Sequence, residues 1–214
     1  TPAQEAASVG DDARVELYRR VADACPGLPI VLQDHPASTG VHMPPSLIAR
    51  ITAEVAAVRN NVGIMDITAF TKVEVTGTGP AEALQRLVAN RLPRKDGGVI
   101  LTHLLNRRGR IEIEVTVIRL AEDRYYLVCA AFFEQRLLDH LANHGGDGLT
   151  VINRSTGWAA LALQGPKSRA VLAEVTDAPL DNAGFRWLSA RQISISGHDV
   201  WALRMSYAGE LGWE

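Results

Sequence analysis

The sequence predicts an α+β protein built from antiparallel sheets with helices packed on one face. Segments with the two-residue alternation of a strand outnumber segments with helical spacing. Several predicted strands follow each other through tight turns, and short turns join antiparallel neighbours rather than parallel ones. No GxGxxG motif follows a predicted strand, and Gly77-Thr78-Gly79-Pro80 fits a turn. The pattern therefore supports neither a Rossmann fold nor a P-loop.

The helices are predicted from apolar residues at helical spacing and from residues that begin or end a helix. Pro26 and its glycine neighbour end the first helix, and Pro80 stands in the first turn of the third. Leu84, Leu87 and Val88 are expected to face inward in that third helix. The predicted helices span residues 13–24, 45–60, 80–92, 132–144 and 167–175.

The strands are predicted from alternating apolar residues in segments that turn residues separate. In the second segment Val73 and Val75 alternate with polar residues. Arg107-Arg108-Gly109 joins the third strand to the fourth in a hairpin. The predicted strands are VGIMDI, FTKVEVTG, VILTHLLN, RIEIEVTVIRL, RYYLVCAA, TVINRST, WAALALQGP, RQISISG and DVWALRMSY.

The composition is that of an ordinary globular protein. Apolar residues make up 47% of the 214 residues, charged residues 21%, and the formal net charge is −2. This balance creates no general attraction to nucleic acid or to an anionic membrane. No apolar run reaches the roughly 18 residues of a membrane span, and the first residues lack the order of a secretory signal. We therefore expect a cytoplasmic protein that binds neither nucleic acid nor membranes.

The cysteines and histidines predict neither a disulfide nor a metal site. Cys25 and Cys129 are far apart in the sequence, and neither belongs to a CxxC pair. His140 and His144 have the i, i+4 spacing of one helix face, but no HExxH pattern surrounds them. We expect two reduced, partly buried thiols and a solvent-facing helix end.

The predicted strand GRIEIEVTVIRL carries the first candidate site. Because strand side chains alternate, its apolar face is expected to enter the core, and its other face carries two acids. Two interpretations of that second face stay open: it meets water, or one acid lines a cavity and handles a cationic or protonatable nitrogen. The apolar face holds Ile111, Ile113, Val115 and Val117, and the second face holds Glu112, Glu114, Thr116 and Ile118.

The segment SYAGELGWE carries the second candidate site. Gly209 and Gly212 let the backbone turn and approach a ligand closely. Glu210 and Glu214 have carboxylates that accept paired hydrogen bonds from a planar donor such as a pterin ring. The pattern alone leaves two interpretations open, an acidic surface turn and the edge of a ligand site.

From about residue 61 to residue 214 the sequence resembles the folate-dependent aminomethyltransferase domain. This domain occurs in the T-protein of the glycine cleavage system and in dimethylglycine and sarcosine dehydrogenases and oxidases. The motif sequences here are more similar to those of the dimethylglycine and sarcosine enzymes than to those of the T-protein. Four motifs in the family's order carry the resemblance. They are VGIMDIT with FTKVEVTG, LLN with Gly109 and VTVIRL, LALQGP, and RMSYAGELGWE.

The resemblance implies a tetrahydrofolate site and its residues. In the family, the tyrosine and the last glutamate of the Y-x-G-E-x-G-x-E element contact folate, and these positions are Tyr207 and Glu214 here. A carboxylate on the family's hairpin strand assists one-carbon transfer to folate, and the matching catalytic position is Glu114. The implied activity forms 5,10-methylenetetrahydrofolate from a methylamine-type or glycine-type substrate.

The sequence departs from the family pattern at three points. Glu114 stands where the family has aspartate, and Ala130 stands where the T-protein has asparagine. A carboxylate that is displaced by about 1 Å can lower a rate about a hundredfold when the geometry is tight. Family members also continue into the rest of the folate-binding domain and a C-terminal β-barrel, which we expect this chain to lack.

These expectations define two segments and a partner. Residues 1–58 form a Pro-rich, helical N-terminal extension, and residues 59–214 form the N-terminal part of an aminomethyltransferase-like folate-binding domain. Another protein chain is expected to supply the rest of the folate site, a flavin oxidase, or both. The alternative to a transferase is a non-catalytic folate-binding or scaffolding subunit of a heteromeric complex that oxidises amines or amino acids.

Overall fold

The computed structural model describes residues 45–214, and these divide into two compact units. The helix predicted over residues 13–24 lies outside the described residues. In the described part of the chain, the first unit comprises residues 45–65, Ala162–Glu174 and Ser206–Trp213. The second unit comprises Asp66–Leu161, Val175–Met205 and Glu214.

Four α-helices form in the described part of the chain, each at a predicted position. The second helix ends at Leu87 rather than at Leu92, because Val88 adopts an extended backbone with φ −97° and ψ 146° and bridges to Leu104. A short 3-10 turn over Ala131–Phe133 precedes the third helix. The helices are α1 Pro45–Asn60, α2 Pro80–Leu87, α3 Glu134–His144 and α4 Ser168–Ala173.

All nine predicted strands form, and a short tenth strand follows them near the end of the sequence. The strands are β1 Gly63–Asp66, β2 Thr71–Gly77, β3 Val99–Leu105, β4 Ile111–Ala121, β5 Arg124–Cys129, β6 Leu149–Asn153, β7 Leu161–Gln164, β8 Ser189–Ile195, β9 His198–Arg204 and β10 Gly212–Trp213. The segment SYAGELGWE, for which no strand was predicted, thus contains the strand β10.

The second unit contains a five-stranded sheet with the strand order β3-β4-β5-β2-β6. Every neighbouring pair in it is antiparallel, as is the separate β8-β9 hairpin of the same unit. The antiparallel sheets confirm the predicted α+β class. They also place β4, the strand with the candidate acids, second from one edge of the sheet.

One face of the five-stranded sheet packs against α2 and α3, as predicted. Leu84 of α2 and Leu137 and Leu141 of α3 are buried between the helices and the strands. Removing this apolar surface from water is the main favourable term in folding this unit. The other buried members of the cluster are Val73, Val75, Val88, Leu104, Ile113, Val115, Val117, Tyr125, Leu127 and Cys129.

The prediction that Ile111 enters this core is wrong. Its side chain is 64% exposed, whereas Ile113, two residues further along β4, is fully buried. The pairing of β4 with β3 shifts its register here, since Leu104 pairs with Ile113 but Leu105 pairs with Ile111. The extra residue of this irregularity ends the regular alternation before Ile111.

The second face of the sheet is divided into an apolar part and a polar part. The β8-β9 hairpin contributes Ala190 and Leu203 to a second buried cluster with Ile118 and Tyr126 of the sheet. Toward the other end of β4, the same face carries Glu114, which is exposed. The polar end of this face is therefore where the unit presents the candidate carboxylate.

The first unit is organised around a three-stranded sheet with the order β1-β7-β10. Gly165, in the LALQGP motif, has a φ of +121°, and a Cβ atom there would lie 2.5 Å from the carbonyl oxygen of Val58. Only glycine fits this close approach. The amide of Gly165 and the hydroxyl of Ser168 both donate to the carbonyl of Leu211, which fixes the segment before β10.

Across residues 45–214, none of the helices has the length and apolar character that a membrane span requires.

Candidate functional site

Glu114 lies at the polar end of the second face of the five-stranded sheet. Its side chain is 49% exposed and pairs across the strands with His103 of β3. The Nε2 atom of His103 lies 3.4 Å from Oε2 of Glu114. Further along this face of β4, Thr116 is partly buried and Ile118 is fully buried. The carboxylate therefore stands where a small ligand can reach it, beside a surface that becomes apolar.

Glu112, the second acid predicted for this face, is engaged by the protein itself. The Nδ2 atom of Asn106 donates a 2.7 Å hydrogen bond to its Oε1, and Arg136 of α3 forms an ion pair with its Oε2. The hydrogen bond from Asn106, followed by the charge of Arg136, outweighs desolvation and lowers the pKa of Glu112. Glu112 thus ties the hairpin to α3, and Glu114 is the acid that a ligand can use.

A buried ionic network on the second face of the sheet is not apparent from the sequence pattern. Glu74 of β2 is buried and accepts hydrogen bonds from Nε of Arg124 at 2.5 Å and from Nε of Arg154 at 2.9 Å. The guanidinium of Arg154 lies 5.5 Å from the centre of the Trp158 ring, which lies 5.4 Å from the Tyr126 ring. The alternation in FTKVEVTG is typical of a solvated polar face, so it gives no sign of this burial.

Glu214 is held beside the strand β9, and its charge acts on Tyr126. Its backbone is held by two hydrogen bonds with Leu203 of β9, at 2.7 and 2.8 Å. Burial raises the pKa of the Glu214 carboxyl to about 7. Burial, followed by the charge of Glu214, raises the pKa of Tyr126. In the described part of the chain, no cationic side chain forms an ion pair with Glu214.

Tyr207 lies on a turn of the first unit and is 89% exposed. The turn is closed at Gly209, which has a φ of +89° and whose amide donates to Oγ of Ser206. Glu210 lies within 3.9 Å of Arg59 and accepts a hydrogen bond from Ser206. The carboxylate of Glu210 therefore interacts with Arg59 and Ser206, whereas the ring and hydroxyl of Tyr207 face solvent.

The described histidines and cysteine form no cluster that could hold a metal ion. The rings of His140 and His144 pack edge to face, 4.8 Å apart. Burial is the main reason that the pKa of His140 is lowered. Cys129 is a buried free thiol, and burial raises its pKa to about 11, which makes it unreactive near neutral pH.

Replacing Glu214 by glutamine is expected to stabilise the fold at alkaline pH. The folded-state pKa of about 7 lies above the ordinary value of 4.5, so the folded chain binds a proton that the unfolded chain has already released. The stability that this protonated form contributes is lost as pH rises from about 4.5 through 7. In urea titrations, Glu214→Gln should gain about 1–3 kcal/mol at pH 8 and almost nothing at pH 4.

The exposed Glu122, in the turn between β4 and β5, supplies the matched control for this measurement. Glu122→Gln should leave the free energy of unfolding within about 0.5 kcal/mol at both pH values, as for most surface substitutions. An equal gain for Glu214→Gln at pH 4 and pH 8 would show that the carboxyl of Glu214 does not titrate differently in the folded and unfolded chains.

Comparison with known protein families shows a match over most of the chain. Residues 33–214 match the family model described as the GCVT N-terminal domain. The match begins at residue 33, within the predicted N-terminal extension of residues 1–58. The boundary at residue 58 stays a prediction.

Individual relatives support the same family. The chain is 31% identical to mitochondrial dimethylglycine dehydrogenase of Mus musculus, over 77% of this chain and 19% of that protein. It is 35% identical to an aminomethyltransferase of Halalkalibacterium halodurans, over 79% of this chain and 47% of that protein. The chain thus spans less than half of the length of these curated relatives.

Two solved structures have a similar fold. The glycine cleavage system aminomethyltransferase T from Bartonella henselae matches with a TM-score of 0.62 and 29% identity, over 74% of this chain and 42% of that one. The heterotetrameric sarcosine oxidase from Corynebacterium sp. U-96 matches with a TM-score of 0.57 and 21% identity, over 80% of this chain and 84% of that one. The second likeness concerns the fold alone.

These matches confirm the predicted family and the aminomethyltransferase fold, while the roles assigned to Glu114, Tyr207 and Glu214 stay predictions. The family model accounts for residues 33–214, and the structures that resemble this chain have the same arrangement of antiparallel sheets and helices. The chain belongs to the GCVT N-terminal domain family.

Proposed function

We propose that this chain is the folate-binding part of a one-carbon transferase of the aminomethyltransferase type. The observation that carries the proposal is the carboxyl of Glu214, whose pKa burial raises to about 7 and whose charge acts on Tyr126. None of the described side chains neutralises it as an ion-pair partner. A desolvated carboxyl is satisfied by a ligand that brings N–H donors. The residues present therefore fit the pterin ring of tetrahydrofolate, whose edge offers such donors.

Glu114 handles the reacting nitrogen in this proposal. When bound, tetrahydrofolate supplies two N–H groups that bond to the transferred carbon and release their protons, which yields 5,10-methylenetetrahydrofolate. The carbon comes from an amine or amino acid of the methylamine or glycine type, presented as an iminium cation. The exposed carboxylate of Glu114 attracts and orients this cation. Its Oε2 atom can also take up or return a proton at the reacting nitrogen.

Tyr207 supplies a further contact to the pterin, and a partner chain completes the site. The 89% exposure of Tyr207 leaves its ring and hydroxyl open to a ligand. The proposal includes a partner that provides the rest of the folate site, a flavin-dependent oxidation, or both. A cytoplasmic location, with neither nucleic acid nor membrane as a partner, is part of the proposal.

Two features of Glu114 favour a second candidate function, a non-catalytic folate-binding or scaffolding subunit. The carboxylate of Glu114 is one methylene longer than the aspartate that the family resemblance implies for this position. It is also directed to His103 rather than left unpaired. A subunit of this kind would bind folate and support a catalytic partner without transferring the carbon itself.

Titration calorimetry with tetrahydrofolate tests the proposal. The chain, assembled with the products of its neighbouring genes, should bind tetrahydrofolate, and Glu214→Gln should weaken binding by about 10- to 100-fold because it loses hydrogen bonds to a charged acceptor. Tyr207→Ala should weaken binding by about tenfold, because alanine removes one contact that the tyrosine ring or hydroxyl makes with tetrahydrofolate.

The exposed variant Glu122→Gln is the control and should bind tetrahydrofolate as the wild type does. Absence of tetrahydrofolate binding by the wild-type assembly would overturn the proposed function. Binding that Glu214→Gln and Tyr207→Ala leave unchanged would remove these two residues from the site while leaving the folate assignment in place.

A further inference from the structure

His103 is the nearest titratable neighbour of the proposed catalytic carboxylate, and the proposed function does not use it. The two residues are direct cross-strand partners, with Nε2 of His103 3.4 Å from Oε2 of Glu114. The imidazole is 34% exposed and the carboxylate 49% exposed. Both side chains are therefore accessible to solvent.

The other described charged side chains near His103 and Glu114 have partners of their own or lie further away. Among the described residues, Glu114 is the only carboxylate within 4.0 Å of a ring nitrogen of His103. Glu112, the other acid of this strand segment, is held by Asn106 and Arg136. The segment after α2 contributes the backbone amide of Ala89, which donates to the carbonyl of His103 at 2.9 Å. Glu114 is therefore the described carboxylate with which His103 can exchange a proton directly.

The proposed reaction moves two protons. The amine nitrogen loses its bond to the transferred carbon and leaves with two new N–H bonds, and these protons equal the two released by the folate nitrogens. Nothing is oxidised or reduced in this exchange. A single carboxylate carries one proton at a time, whereas a carboxylate beside an imidazole can hold one proton while a second moves.

We propose that His103 is the second proton carrier of this site. Nε2 of His103 exchanges a proton with Oε2 of Glu114, and Glu114 delivers it to the nitrogen of the leaving amine. His103 acts through Glu114, so its role is to supply and position the proton rather than to touch the substrate. The inference rests on the proposed function, because it needs Glu114 to bind the cationic nitrogen.

This arrangement makes amine binding release protons. Oε2 of Glu114 lies 3.4 Å from Nε2 of His103, so the two side chains are within range of a direct charge interaction. A cationic amine bound at the same carboxylate repels a positive charge on His103, so we expect amine binding to favour the neutral imidazole. The proton passes to the buffer when the amine binds, and the neutral imidazole is then ready to accept the first proton of the reaction.

Calorimetry of amine binding in the absence of folate measures this proton directly. Dimethylglycine is titrated into the assembled protein at pH 6.5 in two buffers with different ionisation enthalpies. The wild type should release a measurable fraction of a proton per amine, and His103→Gln should release almost none. His198→Gln, the same substitution at an exposed residue of β9, should behave as the wild type.

The outcomes separate this inference from the proposed function. Amine binding with equal proton release in the wild type and in His103→Gln overturns the role of His103 and leaves the proposed function standing. If the wild type binds no amine, the role of Glu114 fails and this inference fails with it.

Transfer kinetics supply a second test of the same pair. His103→Gln should lower kcat by about tenfold, with the Kd for tetrahydrofolate within about twofold of the wild type. In the Glu114→Gln background, His103→Gln should cause no further loss, because both changes interrupt one proton path. A loss that adds in full to that of Glu114→Gln would overturn the path through Glu114.

Discussion

Transfer of the one-carbon unit in the Glu114→Gln variant is expected to fall by about 100- to 1,000-fold, while tetrahydrofolate still binds within about twofold. Glutamine keeps the shape of the side chain but carries no charge to hold an iminium cation and accepts no proton from it. The side chain is 49% exposed, so the free energy of unfolding should change by less than about 0.5 kcal/mol. Single-turnover transfer and calorimetric binding measure the two quantities separately.

Two further variants show whether this loss belongs to the site. Glu122→Gln, in the exposed turn after β4, should transfer at the wild-type rate. Glu114→Asp restores the residue implied by the family resemblance, but it withdraws the carboxylate by about 1 Å from His103 and should cost about 10- to 100-fold in rate. Unchanged turnover in Glu114→Gln would favour the scaffolding subunit over the transferase.

Local sequence signals account for most of the secondary structure. The helix α1 spans Pro45–Asn60, as predicted, because proline suits a first helical turn and the following residues favour a helix. The strand β2 enters the core through Val73 and Val75, the two residues whose alternation predicted it. Such elements follow from the spacing of a few neighbouring residues, which a single sequence displays in full.

Pairing between distant segments could not be predicted in the same way. The exposure of Ile111 depends on a register shift against β3, and alternation within β4 alone gives no sign of it. The strand β10 is only two residues long and exists because Gly212 and Trp213 pair with β7. A glycine-rich segment of that length has no periodicity of its own.

The candidate site also combines features that the sequence predicts with features that depend on contacts between distant segments. Strand alternation and the glycine-rich segment indicated Glu114 and Glu214 as candidates, and the family resemblance implied their roles. The sequence does not show the burial that raises the pKa of Glu214 to about 7. His103 was not recognised, because its position beside Glu114 comes from the register of two strands. Charge pairing across a sheet becomes visible only when the register is known.

Glu74→Gln is expected to produce the largest loss of stability among the substitutions considered, about 2–4 kcal/mol in the free energy of unfolding. The Glu74 side chain is 5% exposed and binds Arg124 and Arg154, whose side chains are 38% and 36% exposed. Breaking a fully buried ion pair from one side costs about 3–5 kcal/mol. The arginines here regain some hydration, so the expected loss lies at the lower end. Urea unfolding at pH 7 measures it.

Ion pairs nearer the surface provide the comparison. Asp96→Asn removes the partner of Arg119, and the Asp96 side chain is 60% exposed, so its loss should stay below about 1 kcal/mol. Arg124→Gln leaves Glu74 bound to Arg154 and should cost an intermediate amount. A loss below about 1 kcal/mol for Glu74→Gln would contradict a desolvated network on this face of the sheet.

The pH dependence of the Glu74→Gln loss shows whether charge or packing is responsible for it. Burial raises the pKa of Glu74, but the hydrogen bonds and charges of Arg124 and Arg154 outweigh it and hold the pKa below the ordinary 4.5. A carboxylate of this kind contributes stability above pH 4.5, and that stability is lost as pH falls through the folded-state pKa. The difference between the wild type and Glu74→Gln should therefore shrink when urea unfolding is repeated near pH 3. A difference that stays constant between pH 7 and pH 3 would assign the stabilisation to the shape of the Glu74 side chain. The contact between the guanidinium of Arg154 and the ring of Trp158 would then be independent of the charge of Glu74.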